Sequence, residues 1–300
     1  NQTLAVNYVG SAGRRLIYPE FYRNAPGQTV INPIFTTSLV RIHRNLAYSN
    51  YNSLQAQFQR RLTNGLQALA SYTWAKSLDS LSDETTVATP SQFLTPSYFY
   101  GPSEFDIRHT FNAAVSYSLP FRSANALANA LMRDWAFDGI FSFRTAAPVN
   151  IIVGDDPLNI GLTSYVRPHH TGAPIYLDDP MAPGGRVINR AAFVAPTPGT
   201  LGSLGRNVAR GFSLRQLDMG LRRAFTLRES LQLQFRGEVF NLTNTPNFGD
   251  PSGSLTAATF GRSTAMLGRA LGTGGTSGGF NSIFQIGGPR SLQLSLRLSF

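Results

Sequence analysis

The residues of this chain best equipped for chemistry are few and scattered. His169 and His170 share a stretch with Asp155, Asp156, Asp178 and Asp179, a donor set that could in principle hold a metal ion. The spacing fits neither a helical nor a hairpin ligand pattern, and Asp, His and Pro together are also the make-up of a solvated loop. Asp106, Arg108 and His109 precede a strand-like run. There a carboxylate beside an imidazole could move protons, or the three residues could fix a loop-to-strand junction by hydrogen bonds. No G-x-S-x-G elbow, phosphate-cradling loop or dinucleotide fingerprint occurs. The run GTGGTSGG at residues 272–279 lacks the lysine of a P-loop and precedes no helical pattern, so it reads as a flexible loop. Asn241, Leu242 and Thr243 form only a formal glycosylation triplet. With zero cysteines, disulfide scaffolds, thiolate metal sites and cysteine nucleophiles are excluded. These residues argue against an enzyme and imply no cofactor.

Charge gives the better candidates. The net charge of +10 rests on arginine, since Lys76 is the sole lysine. The arginines are spread along strand-like segments, with no basic helix and no aromatic-interleaved patch, which argues against nucleic acid. Arg61, Arg144, Arg215, Arg222, Arg236 and Arg297 are read as facing an enclosed aqueous space. In that position they could favour anionic solutes or touch a plug, whereas pairing with Glu238 or Asp218 would merely neutralise them. Only 14% of residues are charged, against about 25% in ordinary soluble domains. Low charge with abundant aromatics suits a chain partly solvated by lipid.

The elements that would position these side chains are strands of period two. Residues 291–300 put Leu292, Leu294, Leu296, Leu298 and Phe300 on one face and Ser291, Gln293, Ser295, Arg297 and Ser299 on the other. Ala56 and Phe58 alternate with Gln55, Gln57, Gln59 and Arg61. A tight turn at Thr63, Asn64 and Gly65 then leads to Leu66, Ala68, Ala70, Tyr72 and Trp74. Further runs carry Phe111 to Leu119, Trp135 to Phe143, Leu217 to Leu227 and Leu231 to Val239, with a short turn at Arg228 and Glu229. Arms of about ten residues match the thickness of a bilayer crossed at a tilt. No apolar stretch approaches the roughly 20 residues of a membrane helix. The prediction is all-β: an antiparallel up-and-down transmembrane β-barrel of which about eight strands are present. Outward leucines and aromatics would meet lipid, with Tyr72, Trp74, Tyr117, Phe121, Trp135 and Phe143 as rim girdles.

The spacing between strands is uneven, with short turns alternating with long Pro- and Gly-rich connections. Residues 80–104, 154–210 and 245–289 are read as extracellular loops, the middle one structureless, and the segment from Tyr18 to Ile42 as a further loop with a short strand. The chain starts at Asn1, without a methionine, already inside an alternating run, which implies sequence upstream.

Three phrases carry a family resemblance: YNSLQAQFQRRLTNGLQALASYTWAKSLD at residues 51–79, FDIRHTFNAAVSYSLPF at 105–121 and GEVFNLTNTPNFGDP at 237–251. The chain resembles the C-terminal part of the β-barrel of TonB-dependent outer-membrane transporters, specifically the Oar-like group, whose members carry a carboxypeptidase-regulatory-like N-terminal domain. The resemblance implies a barrel of about 22 strands around a plug, of which the plug and N-terminal domains are absent from residues 1–300. It implies import of a large solute by binding at extracellular loops and TonB-driven plug movement. It also implies that the barrel-assembly machinery reads the terminal strand through Leu294, Leu296, Leu298 and Phe300. The expected partners are the outer-membrane bilayer, the TonB complex through the plug, that machinery and an unidentified solute. Two other classes stay open on sequence: an autotransporter translocator, which needs a helix threading the pore, and a soluble secreted all-β domain, whose apolar rows would be covered by protein.

Overall fold

The computed structural model of the chain describes residues 1–23, 39–82, 95–158, 166–228, 231–270 and 286–300. Eight long antiparallel strands make one wall: β1 (Gln2–Arg23), β2 (Leu39–Thr63), β3 (Leu66–Asp79), β4 (His109–Ser118), β5 (Trp135–Arg144), β6 (Leu214–Arg228), β7 (Leu231–Phe240) and β8 (Ser291–Ser299). Each pairs with its neighbour in sequence, in the order β1 to β8. Among the described residues no ladder joins β1 to β8, so this sheet is open. No helix of the described residues is long and apolar enough to cross a membrane.

Register carries the alternation from strand to strand. Ala5, Gln57, Ser71, Asn112, Ser142 and Gln216 stand opposite one another in turn across six strands. One residue along, Leu4, Phe58, Ala70, Ala113, Phe141 and Leu217 do the same on the other face. Because side chains alternate strictly, a slip of one residue would exchange the two faces, so each pairing fixes the next. Among the described residues no second sheet covers the apolar face: Leu4 is 68% exposed, and Leu292, Leu294 and Leu296 are 65%, 65% and 70% exposed. A shallow hollow of about 480 Å3 on the other face is lined by Gln67, Leu69, Ser116, Asp138, Arg222 and Arg236. It draws on five neighbouring strands, so the wall curves toward its polar side.

The turn between β2 and β3 is as compact as its sequence requires. Asn64 and Gly65 both have positive φ, 52° and 76°, the backbone of a two-residue hairpin whose twist matches the strands. A Cβ on Gly65 would lie 2.5 Å from the Ser118 carbonyl oxygen, so the end of β4 also requires glycine there. Glu229 of the expected second short turn lies outside the described residues, although Arg228 pairs with Leu231 beside it. The short connections gather at one end of the wall and the long ones at the other.

Two expectations change at the long-connection end. Where a loop was expected between Tyr18 and Ile42, β1 and β2 continue to pair, with Tyr18 opposite Arg44 and Glu20 opposite Ile42. Register shifts around Leu16 carry this hairpin past its neighbours; bulges bend a strand without ending its ladder. The connection from β5 to β6, expected to be structureless, is folded. Tyr176–Asp178 pairs with Arg186–Ile188, and His169–His170 with Phe193–Val194. Val149, Ile151, Ile188, Phe193, Leu255 and Phe260 form a buried apolar cluster, to which the connection from β7 to β8 contributes the last two. These apolar residues follow no regular period because no regular element carries them, so alternation gives no sign of them. The run at residues 272–279 lies outside the described residues.

A charge on the outward row is expected to be punished and the same charge on the polar row tolerated. Val115→Arg in the intact gene product should cost about 2–4 kcal/mol in a bilayer. Ser71→Arg should stay close to the parent. Denaturant unfolding in lipid vesicles, read by tryptophan fluorescence, compares the two.

Candidate functional site

The candidate site is the polar face of the wall together with the folded connections that sit on its rim. On the polar face, charge is matched within the wall. Arg222 Nε lies 3.0 Å from Asp138 Oδ2, and Arg222 Nη2 donates to Ser116 Oγ at 3.1 Å. Ser116 Oγ donates in turn to Asp138 Oδ1 at 2.7 Å. Arg236 donates to Glu238 Oε1 at 2.8 Å from two positions away on β7. Such groups would be costly in an apolar core, whereas beside enclosed water they keep their solvation and lose little.

The six arginines singled out from sequence do not all fall on this face. Arg144, Arg222, Arg236 and Arg297 stand on polar rows, and Arg61 continues the row of Gln57 and Gln59 up to the register shift near Thr63. Arg215 does not. It stands opposite Phe143, with its guanidinium carbon 5.9 Å from that ring, on the apolar side, because it has the same parity as Leu217. Among the described residues Asp218 pairs with no arginine either. It accepts from Gln216 Nε2 at 3.0 Å and from the Asn241 amide at 2.7 Å. Among the described residues Arg61, Arg144 and Arg297 form no ion pair within 4.0 Å; the Arg144 charge nonetheless acts on the Asp250 carboxyl, so Arg61 and Arg297 are the less engaged of the three.

At the rim, buried polar knots fasten the folded connections to the strand ends. Arg206, from the connection between β5 and β6, meets Asp79 at the end of β3 at 2.6 Å, with side-chain exposures of 5% and 4%. The Arg206 guanidinium also donates to the carbonyls of Asp79 and Phe99 at 3.1 and 3.2 Å and to Ser82 Oγ at 2.6 Å. Arg210 donates to Asp106 Oδ2 at 2.5 Å, and the other Asp106 oxygen takes the Ser77 amide at 2.7 Å. Asp106 therefore serves the loop-to-strand junction, and His109 places Nδ1 2.8 Å from the Tyr72 hydroxyl. Arg167 lies 3.7 Å over the Tyr98 ring and donates to the Tyr98 and Leu204 carbonyls at 2.6 and 2.7 Å. Burial pushes this guanidinium below its ordinary value, against the pull of Tyr98 and with the push of Arg206.

The connection from β7 to β8 is tied inward as well. Gln216, on the polar row of β6, accepts the Gly287 amide at 2.7 Å. Asn247 takes the Arg215 amide at 2.8 Å and returns a bond to the Arg215 carbonyl at 3.1 Å, continuing the ladder beyond the end of β7. Asn241 donates to the Gly288 carbonyl at 2.9 Å. The imidazoles of His169 and His170 are taken up by Ser203 Oγ and the Ala173 carbonyl, each at 3.0 Å.

Sequence reasoning passed over Asp79, Arg206, Arg210, Gln216, Asn241 and Asn247 as parts of a joint. A carboxylate at the end of a strand pattern is a visible signal. Its partner 127 residues away is not. The proposed assembly residues Leu294, Leu296 and Leu298 lie along the free edge strand, and Phe300 is 98% exposed.

A curved antiparallel wall with lipid-ready rows outside, matched charges inside and its long connections at one rim defines a transmembrane barrel of the outer-membrane type. The chain belongs to the outer membrane beta barrel domain family, whose model matches residues 1–273. It is similar in fold to the outer membrane transporter YddB from Escherichia coli, at 10% identity and a TM-score of 0.54, over 100% of this chain and 30% of that one. The chain thus spans less than a third of that transporter's length. No curated protein matches it. Its place is the outer membrane, with the bilayer around its apolar rows.

The Arg206 knot yields a directional expectation. Asp79→Ala should cost up to about 3–5 kcal/mol by leaving the buried guanidinium with only the half-exposed Glu104 carboxylate, 3.6 Å away, as counter-charge, whereas replacing Arg206 and Asp79 together by leucine should be far milder. Limited proteolysis of outer membranes, scored for cleavage within residues 145–213, reads the difference.

Proposed function

We propose that this wall is part of the barrel of a TonB-dependent transporter of the Oar-like group, taking a large solute inward through a lumen closed by a plug. The carrying observation is the pairing of a water-compatible inner wall with a firmly seated cap of long connections at one rim. In this reading the cap is the extracellular receptor surface and makes first contact with the solute. The inner wall then offers a surface that is polar yet nearly self-satisfied, against which a plug can seat and later shift without stripping buried charge. Arg61 and Arg297 are the lumen cations left to meet the plug or an anionic group of the solute, and Arg144, whose charge already acts on Asp250, is less available. The barrel performs no covalent chemistry and needs no cofactor. Energy enters through TonB acting on the plug, and the strand ending at Phe300, with Leu294, Leu296 and Leu298, is the segment read by the barrel-assembly machinery.

The gene upstream of Asn1 is expected to encode a plug domain and, before it, a regulatory-like domain. The intact product in outer-membrane vesicles should capture the purified periplasmic domain of TonB and lose that capture when the segment preceding the plug is deleted. A long passenger followed by a helical linker upstream would instead assign the wall to an autotransporter. Cysteines placed at Gln57 and Gln234 should react with a hydrophilic maleimide that enters the water of the lumen, while one at Val6 should be shielded by lipid. Equal reactivity at all three would remove the proposed lumen.

A further inference from the structure

We propose that the connection between β4 and β5 is a phospholipid-binding foot, gripping the membrane leaflet at the short-turn end of the wall. This rests on the outer-membrane barrel fold and not on what the barrel transports. The connection carries a short helix, Ala126–Met132, capped by Asn125, whose side chain accepts the amides of Leu127 and Ala128 at 3.0 and 3.1 Å. A locally capped helix normally turns its apolar side inward. Here Leu127 is 70% exposed, and Leu131 and Met132, 58% and 51% exposed, border a hollow between the helix and the wall.

What holds the helix is its backbone. Arg223, opposite Trp135 on the apolar face of β6, donates to the Leu131 carbonyl at 2.9 Å and to the Ala130 carbonyl. Trp135 Nε1 donates to the same Leu131 oxygen at 2.9 Å. The guanidinium carbon of Arg223 lies 4.3 Å from the Phe225 ring and 5.4 Å from the Trp135 ring. A cation on the lipid face thus satisfies the carbonyls at the helix C-terminus, where its charge also suits the helix dipole. The helix is thereby tied to the hydrocarbon side of the wall, not to its lumen.

Between helix and wall lies an apolar hollow of about 580 Å3, lined by Leu119, Phe121, Leu131, Met132, Trp135 and Leu221. Leu119, Trp135 and Leu221 continue the outward rows of β4, β5 and β6, so the hollow opens on the surface that the bilayer covers. Its occupant is a phospholipid acyl chain.

The chain has no cysteine, so single cysteines at Leu127, Leu131 and, as a water-facing control, Met181 can each carry a bimane label in the intact gene product. The vesicles are phosphatidylethanolamine and phosphatidylglycerol, with or without brominated acyl chains. Labels at Leu127 and Leu131 should lose most of their emission to brominated lipid and resist aqueous iodide, and the Met181 label should do the reverse. Arg223→Met, accepted only if heat-modifiable migration shows a folded barrel, should release the Leu127 label to iodide while a label at Leu294 stays lipid-quenched. Iodide quenching at Leu127 and Leu131 in the parent would overturn the proposal. Protection from both quenchers would overturn it too, because a protein would then cover the hollow.

Discussion

In hydrocarbon a backbone amide has no water to fall back on, and that single fact orders this molecule. Every residue within the wall must hand its N–H and C=O to a neighbouring strand, so strands follow one another without interruption and anything irregular is pushed to the ends. The same rule bears on β1 and β8, the outermost strands of the wall, beyond which no further strand pairs among the described residues. Lipid cannot satisfy a strand edge, so in the membrane each edge needs another strand beside it. With the backbone fixed in this way, side chains only have to sort between two solvents, and alternation does the sorting.

Beyond the membrane the rule relaxes and a different construction takes over. The cap has a modest apolar cluster around Ile151 and Phe193, but its seams with the wall are polar: Arg206 on Asp79, Arg210 on Asp106, Asn247 on the backbone of β6. Apolar seams tolerate sliding, whereas a buried ion pair with its hydrogen bonds accepts one arrangement only. The cap gains definition from these knots more than it gains stability.

What the sequence disclosed follows this division. Period-two patterning exposed the strands, their faces and the Asn64–Gly65 turn, because one residue in two must be apolar wherever lipid is the solvent. Arg215 misleads because it lies at the rim, where a long cationic side chain can share the lipid-facing row by resting on Phe143 and reaching out of the bilayer. The continuation of β1 and β2 past Tyr18 was hidden because those residues lie beyond the lipid band and need not alternate. The cap was hidden for a further reason, since its core and knots join residues far apart in the chain and no local period reports them.

The distance along the chain between Asp79 and Arg206 also sets an order of events. This joint closes a loop of 127 residues that contains β4 and β5, so its closure is expected to follow the shorter-range pairings of the wall. The wall can therefore be built and inserted while its outer segments are still slack, and the ion pair tightens them only afterwards. Maturation of the exposed surface is then separable in time from insertion, and a barrel caught before it would be fully embedded with its cap unfastened.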